Sequence, residues 1–395
     1  MKRKRFERCR TILHKRSNSC KRHPVLRSIA GFAVLSWLSY PPIVGAQIVG
    51  SVDTPGWASA VVVDAGYAYI ADASSGLTIV DVSDPTDPQV VTTVDTPGYA
   101  LGVDFAGGIV YVADFGGGLR LFDVSNPNAP SPLGSTDTPG DARKVVVSGT
   151  TAFVADDAGD LTIVDVSSSA SPSVVTSFSA TGMALDVDIS GTLAFVSTGW
   201  SDPIAVRGAI EIIDVTDVAD PSAVARLDLA DSGFGFAVRV VGPRAYVVRG
   251  TTVLVPPAGF HAALDIIDVS NPSEPQPLGL ASLQLPTDAF AHQYGVCISD
   301  TQAICTSGDG GLNFVDMENP NHPFYLGYIP MTAEDVVMDG DYLYVAAREY
   351  GLIVVDKAAI PEVPFPASCA WLLILALVVA CSGIAVSRGA SRMRV

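Results

Sequence analysis

A ten-residue segment recurs along this chain at a nearly fixed interval. It reads GLTIVDVSDP at 76–85, GLRLFDVSNP at 118–127 and DLTIVDVSSS at 160–169. Its central aspartate can be followed through the chain at intervals of 42, 42, 49, 54, 48 and 40 residues, as Asp81, Asp123, Asp165, Asp214, Asp268, Asp316 and Asp356. Seven units of this length predict a propeller or a repeat array.

Each unit contains four short apolar segments separated by turn residues. In the second unit these are 99–105, 109–114, 118–124 and 131–135, rich in β-branched and aromatic residues and bounded by Gly, Pro, Asn and Asp. Four short antiparallel strands form one propeller blade. The fold class predicted is therefore all-β, with seven four-stranded antiparallel blades.

The two ends of the repeat region complement each other. The segment QIVGSVDTPG at 47–56 matches the fourth strands at 89–98 and 131–140, yet no first strand precedes it. The last unit, 334–360, lacks a fourth strand. We therefore expect residues 47–360 to form one closed seven-bladed β-propeller, in which the N-terminal strand 47–52 completes blade seven and removes an exposed edge.

The repeated aspartates admit two interpretations. A carboxylate followed by Val-Ser-Asx-Pro can bond local backbone N–H groups in a tight turn. The same carboxylates could instead bind metal ions. We expect the structural role, because sevenfold duplication of a functional metal site would be unusual.

The repeats LTIVDVSDP, LRLFDVSNP and LTIVDVSSS, with their DTPG loops, resemble the LVIVD repeat of bacterial and archaeal surface proteins. The resemblance covers about residues 47–360 and weakens in units six and seven. It implies an exported β-propeller, and it implies no reaction, because that family has no agreed catalytic motif.

The N-terminal segment has the order of a secretory signal. Eleven Lys and Arg residues precede Ala46, an apolar run occupies 29–40, and small residues precede Gln47. This order predicts a signal peptide at 1–46 that is cleaved before Gln47. The alternative is an uncleaved signal anchor.

The C-terminal segment predicts a membrane anchor. Residues 361–366 form a Pro-rich linker, 367–386 contain no charge and are long enough to span a bilayer as a helix, and 387–395 form a basic cytoplasmic tail. This tail resembles the C-terminal sorting signals of exported Gram-negative bacterial proteins, which an intramembrane sorting peptidase removes; here PEVP stands where that family has Pro-Glu-Pro. The ends together predict an exported protein, anchored in the cell envelope or at the cell surface through this helix unless it is cleaved.

The charge distribution excludes one class of partner. Between the two ends the chain has ten basic and forty acidic residues, a net charge near −30. A surface of this sign repels nucleic acid, so we expect no nucleic-acid partner.

The sequence contains no recognisable catalytic template. It has no nucleophile elbow, no zinc-ligand spacing and no phosphate-binding loop. We therefore predict no catalytic residue, no metal and no cofactor. The predicted function is a binding, adhesion or protein-interaction module; the alternative is an exported propeller hydrolase or lyase that acts on a polysaccharide or an ester.

Two insertions suggest where a ligand would bind. Residues 197–209 and 248–263 lengthen the connection between the second and third strands of blades four and five, and 285–295 follow on the same face. Loops on a rigid scaffold commonly carry binding residues. We expect a surface protein or a carbohydrate to bind over blades four to six, through Trp200, Arg207, Arg249, Phe260, His261, Asp288 and His292. The alternative is neutral loop drift with self-packing.

Cys297 and Cys305 are the only cysteines between the two terminal segments. A three-residue turn at 300–302 would place them directly opposite, and export would then permit a disulfide. A two-residue turn would place them on opposite faces as buried free thiols.

Overall fold

The computed structural model describes residues 48–359, except 158–159, 202–205, 230–232, 254–258 and 285–293. The predicted signal peptide, linker, membrane helix and basic tail lie outside the described residues. Within the described ranges, no helical segment has both the length and the hydropathy of a membrane span.

Twenty-eight strands in the described part form seven four-stranded antiparallel sheets. Blades one to three contain β2 (Ala60–Asp64), β3 (Tyr67–Ala71), β4 (Leu77–Asp81), β5 (Gln89–Val94); β6 (Gly102–Ala106), β7 (Ile109–Ala113), β8 (Leu119–Asp123), β9 (Ser131–Thr136); and β10 (Ala142–Ser148), β11 (Thr151–Asp156), β12 (Asp160–Asp165), β13 (Ser173–Ser179). Blades four to six contain β14 (Met183–Ser190), β15 (Leu193–Ser201), β16 (Val206–Asp214), β17 (Ser222–Asp228); β18 (Phe234–Val241), β19 (Arg244–Val253), β20 (Gly259–Asp268), β21 (Gln276–Ser282); and β22 (Val296–Ser299), β23 (Gln302–Thr306), β24 (Leu312–Asp316), β25 (Phe324–Ile329). Blade seven contains β26 (Asp335–Asp339), β27 (Tyr342–Ala346), β28 (Leu352–Asp356) and the N-terminal strand β1 (Ile48–Val52), and a short 3-10 turn, Lys357–Ala359, follows it.

The middle strands of each blade are buried on both faces. In β4 the residues Leu77, Thr78, Ile79 and Val80 are all buried, although they point alternately to opposite sides of the sheet. A sheet covered on both faces needs continuous apolar runs rather than strict alternation. This packing explains why the repeated segment is uniformly apolar before its aspartate.

The seven blades form a closed ring. The innermost strands contact one another in sequence, and β26 of blade seven contacts β2 of blade one. Seven clusters of buried apolar residues in the described part lie between neighbouring blades. β1 pairs antiparallel with β28, with Val52 opposite Leu352. The predicted closure by the N-terminal strand is confirmed.

The seven repeated aspartates cap turns. The Asp81 carboxylate accepts a hydrogen bond from the backbone N–H of Ser83 at 2.9 Å. All seven marker positions repeat this contact with the residue two positions on, at 2.8–2.9 Å. The hydroxyl and the N–H of Ser83 lower the pKa of Asp81. These backbone contacts are the ones that the structural interpretation predicts. Among the described residues no group of side chains has the arrangement of a metal site.

Outer strands pack closely against the turns of the next blade. A Cβ on Gly50 of β1 would lie 2.2 Å from the Pro85 carbonyl oxygen and 2.9 Å from Cδ of Pro88, both in the turn after β4. Gly279 meets Pro320 of blade six in the same way. Only glycine leaves room for this approach, so the Asx-Pro turn of one blade packs against the outer strand of the blade before it.

Candidate functional site

Two sets of loops open on one face of the ring, called here the top face. They are the loops that lead into each first strand and the loops that join each second strand to the third. Four hydrogen-bonded backbone pairs, each between two neighbouring blades, show that both sets lie at the same end: Ala73 with Ala100, Phe115 with Ala142, Gly308 with Ala333, and Arg348 with Ala58.

The repeated DTPG loops are held by a buried carboxylate. Asp72, after the second strand of blade one, accepts hydrogen bonds from the Thr54 hydroxyl at 2.8 Å, the Gly56 N–H at 3.0 Å and the Thr78 hydroxyl at 2.9 Å. Asp114 holds the next loop through Thr96 and Gly98. The residue that follows each of these two loops is consequently fixed at the top face.

Trp57 and Tyr99 are those following residues, and both are more than half exposed, at 57% and 55%. They occupy equivalent positions in blades one and two. Large aromatic rings left exposed by a rigid loop are typical of binding surfaces.

A second set of residues lies at the top face with a positive φ, which is an unusual backbone conformation. Ala73, Phe115 and Arg348 have φ of 44°, 49° and 49°, and Gly308 at the equivalent position of blade six has φ of 57°. Side chains other than glycine disfavour this left-handed region. Backbone strain of this kind is concentrated at functional sites.

These two sets line one cavity of about 320 Å³ at the mouth of the ring. Its wall is contributed by blades seven, one, two and three, through Trp57, Ser59, Ala73, Tyr99, Leu101, Phe115, Arg143, Glu334 and Arg348. The volume falls at the lower end of the range for small-molecule pockets, and the mixture of aromatic rings with a few polar groups is typical of them.

The charged groups in this wall are ion-paired. The Arg348 guanidinium pairs with the buried Glu334 carboxylate and lies 3.7 Å from Asp309 Oδ1. Arg143 donates to Asp157 Oδ2 at 2.7 Å, and its guanidinium lies 5.7 Å from the centre of the Phe115 ring. Nε of Arg143 and Oδ1 of Asp157 are covered, and among the described residues they have no hydrogen-bond partner.

Below the cavity, carboxylates bridge the innermost strands. An innermost strand has a row of edge N–H groups without a strand partner, and such groups need acceptors. Four carboxylates accept from the next blade: Asp104 from Val147 N at 2.7 Å, Asp186 from Val238 N at 2.9 Å, Asp188 from Val240 N at 2.7 Å and Asp335 from Val61 N at 3.4 Å.

Two cations lie among these carboxylates. The Lys144 ammonium is 3.1 Å from Asp335 Oδ2, and Arg239 Nη1 is 3.6 Å from Asp188 Oδ1. Burial raises the pKa of Asp186 to about 6, against the opposing effect of Lys144 and Arg239. A small cavity of about 20 Å³ lies beside Lys144 and Asp186, with room for about one water molecule.

The insertions of blades four and five are longer hairpins rather than loops. The β15–β16 ladder continues to Ser201 opposite Val206, and the β19–β20 ladder continues to Val253 opposite Gly259. Extra residues at this position therefore extend existing strand pairs upwards from the top face.

The structure places the predicted site residues of blade four together. Trp200 and Arg207 are opposite one another in β15 and β16. Arg207 is exposed, and the Arg226 guanidinium lies 4.5 Å from the centre of the Trp200 ring. This cluster is contiguous and accessible.

Arg249 is instead an interior residue. It is 5% exposed and its Nε donates to Asp265 at 2.5 Å. It occupies the position of Asp72, and Asp265 that of Thr78, so blade five places a cation where blades one to three have a carboxylate. The backbones of Phe260 and His261 pair with Thr252 and Thr251 in the hairpin; their side chains, and Asp288 and His292, lie outside the described part.

The hairpin of Cys297 and Cys305 has a two-residue turn. Ser299 is opposite Gln302, which pairs Cys297 with Ile304 and Cys305 with Val296. The thiols are thus one residue out of register, on opposite faces, and both are free. The disulfide alternative is wrong for this register. Burial raises the pKa of both thiols.

Five residues of the cavity wall were not predicted from the sequence: Trp57, Tyr99, Phe115, Arg143 and Arg348. One signal was present: the DTPG loop is constant in the first three units, whereas the next residue is Trp57, Tyr99 or Asp141. A residue that varies after a constant loop indicates a common scaffold whose surface residues differ from blade to blade.

A family model described as the LVIVD repeat matches residues 55–96, 97–138, 139–180, 258–279 and 331–357. Five segments of the chain therefore match the LVIVD repeat. The first two LVIVD matches begin within one DTPG loop and end in the next. The third begins in a DTPG loop and ends at 180, in the equivalent SATG segment at 179–182, so one repeat corresponds to one blade plus the loop that leads into it.

Two solved structures share the propeller fold. The computationally designed protein Ika8 aligns with a TM-score of 0.51 at 10% identity, over 79% of this chain and 100% of its own. A chain of the Kuenenia stuttgartiensis hydrazine synthase aligns with a TM-score of 0.61 at 13% identity, over 78% of this chain and 98% of its own. At such identities the likeness concerns the fold alone. No curated protein matches this chain in sequence.

Proposed function

We propose that this LVIVD-repeat propeller is an exported binding module, anchored at the cell surface by its C-terminal segment, which takes its ligand on the top face. The observation that carries the proposal is the cavity between blades seven, one, two and three. Trp57 and Tyr99 are exposed there, and Phe115 and Arg348 are held beside them in a left-handed backbone.

The exposed tyrosine Tyr350 makes a matched control for this site. It is 56% exposed, lies in the top-face loop of blade seven, and does not line the cavity. A change at Tyr350 removes the same kind of ring from the same face without altering the cavity wall.

The test compares three forms of the purified full-length protein: the parent, Trp57→Ala with Tyr99→Ala, and Tyr350→Ala. Each is immobilised and exposed to the protein and polysaccharide fractions of cell envelopes. We expect the double variant to lose the retained material and Tyr350→Ala to keep it. Equal retention by all three forms would place the ligand elsewhere.

The extended hairpin of blade four is a second candidate site. Trp200, Arg207 and Arg226 form an accessible aromatic and basic cluster on a protein of strongly negative charge. If this cluster carries binding over blades four to six, a variant that lacks residues 199–208 and still folds should no longer retain envelope material. The double variant Trp57→Ala with Tyr99→Ala should still retain that material.

The hydrolase or lyase alternative makes a different prediction. It requires turnover of an ester, lactone or polysaccharide by the purified protein. The anchoring part of the proposal is tested by the mass of the protein isolated from its native envelope, which reveals whether 1–46 and 361–395 remain.

A further inference from the structure

We infer that the top-face cavity binds an uncharged, hydroxyl-rich ring, that is, a neutral saccharide; this inference rests on the proposed function. It follows from three properties of the cavity wall: its aromatic surface, the ion pairing of its charged groups, and hydrogen-bonding groups that a hydroxyl can satisfy.

The aromatic surface comes first. Trp57 and Tyr99 expose more than half of their surface, and Leu101 and Phe115 extend the apolar wall between them. A sugar ring has one face of C–H groups that packs on an aromatic ring and an edge of hydroxyls that needs polar partners. The indole N–H of Trp57 and the hydroxyl of Tyr99 place polar groups at the rims of the rings.

The charges of the wall argue against an ionic ligand. Arg348 is paired with Glu334 and Asp309, and Arg143 with Asp157. In the wall itself a cation would meet the guanidinium groups of Arg143 and Arg348, and an anion would meet the Glu334 carboxylate. Either would have to separate an existing pair, and a buried charge left without its partner costs several kcal/mol. An uncharged ligand avoids this cost.

The third property is the unsatisfied pair at Arg143. Nε of Arg143 can donate and Oδ1 of Asp157 can accept, and within the described part of the chain neither atom has a hydrogen-bond partner. A hydroxyl group both donates and accepts, so it is a suitable partner for either atom. Arg143 lines the cavity and about a quarter of its side chain is exposed. Both atoms are covered, so a side-chain movement must bring one of them to the ligand.

The experiment measures binding of single sugars to the full-length protein in a polyoxyethylene detergent, which contains no sugar of its own. Neutral probes are glucose, galactose, mannose, N-acetylglucosamine and cellobiose; charged probes are glucuronic acid and glucosamine. Ligand-observed NMR and calorimetry report binding. We expect at least one neutral sugar to bind, and to bind about tenfold or more weakly to Trp57→Ala and to Tyr99→Ala, the size expected for the loss of one aromatic contact. Tyr350→Ala should bind like the parent.

The outcomes separate this inference from the proposed function. If no neutral sugar binds, or if a charged sugar is preferred, while retention of envelope material still depends on Trp57 and Tyr99, the saccharide inference is wrong and the proposed function stands. If substitution of Trp57 and Tyr99 changes neither assay, both are wrong.

Discussion

Three cavity residues are held in a backbone conformation that their side chains disfavour. Ala73, Phe115 and Arg348 adopt positive φ at equivalent positions of three blades, where blade six has Gly308. Each such residue costs about 1–2 kcal/mol relative to a right-handed or extended conformation. Since glycine is compatible with the position, what the Phe115 side chain contributes is contact with the cavity, whereas Arg348 also contributes its ion pair with Glu334.

Replacing Phe115 by glycine tests this separation of stability from binding. Relief of the left-handed strain should offset the lost packing of the half-buried ring, so the free energy of unfolding should change by less than about 1 kcal/mol. Ligand retention should fall. Denaturant unfolding and the envelope-binding assay measure the two effects.

The matched control is Phe105→Gly. Phe105 is a half-buried phenylalanine of the same blade, in a regular strand and stacked on Tyr69. Here glycine relieves no strain, and we expect destabilisation of about 3 kcal/mol or more. Equal destabilisation by the two substitutions would refute the strain argument.

Asp186 makes stability depend on pH. Its pKa is raised from 3.8 to about 6 in the folded protein, so the folded state holds a proton that the unfolded state releases between these values. The resulting stabilisation is complete below about pH 4 and disappears as pH rises through 6. Its full size is about 3 kcal/mol at most.

Asp186→Asn isolates this effect from the other carboxylates. The amide oxygen can still accept one edge N–H, so the variant has a constant offset but no titration. The difference in unfolding free energy between parent and variant should therefore change between pH 4 and pH 7 in the sense that the parent loses stability. A difference that is flat with pH would contradict the proposed titration.

At the scale of elements, the hydrogen bonds between each DTPG loop and its buried aspartate join two blades. The loop leaves the outer strand of one blade, and the carboxylate belongs to the next. Asp114 is fully buried and bonds Thr96, Gly98 and Arg120. This contact explains why the loop and the aspartate recur together in the sequence.

Asp114→Ala should cost about 3–5 kcal/mol, because it leaves the buried donors and Arg120 without an acceptor. Asp123→Ala, at the other end of the same blade, removes an exposed turn contact to Ser125 and should cost about 1 kcal/mol or less. Thermal unfolding of the two variants distinguishes these values. A similar loss of stability in both variants would mean that the hydrogen bonds of Asp114 to the DTPG loop contribute no more than those of a surface turn.

Strand identity and turn chemistry were predictable from the sequence because each unit repeats them. The insertions were less predictable: a segment such as 197–209 contains Gly, Pro and Asp, which favour a loop, yet cross-strand pairing continues through Trp200 and Arg207. Arg249 shows a similar limit. Its place in an inserted segment suggested a ligand-binding role, but its partner Asp265 is 16 residues away, and the pairing can be inferred only when the hairpin register is known.

At the scale of the whole molecule, the repeat count and the unmatched terminal strands were sufficient to predict a closed seven-bladed ring. The cavity was not predictable, because ring closure brings Trp57 beside Arg348, nearly the full length of the repeat region away. Local sequence contains no information about which loops meet where blade seven closes on blade one.

The contribution of ring closure to stability is tested by Gly50→Val. The new side chain would overlap the Pro85 carbonyl and press β1 away from its place beside blade one. Because the ring closes through β1, we expect a loss of about 3 kcal/mol or more in a single cooperative transition. Ser51→Val, at the exposed neighbouring position, should change stability by no more than about 0.5 kcal/mol. An unchanged melting temperature for Gly50→Val would mean that closure adds little to stability.

The N-terminal origin of the outer strand also determines how the ring resists a pull. In the anchored protein proposed here, tension between a held ligand and the membrane reaches the propeller through β28. That strand is interior, hydrogen-bonded on one side to β27 and on the other to β1. A force along it must shear both ladders together, whereas an outermost last strand would peel away one bond at a time. The arrangement therefore connects the tether to an interior strand of the blade rather than to an edge strand.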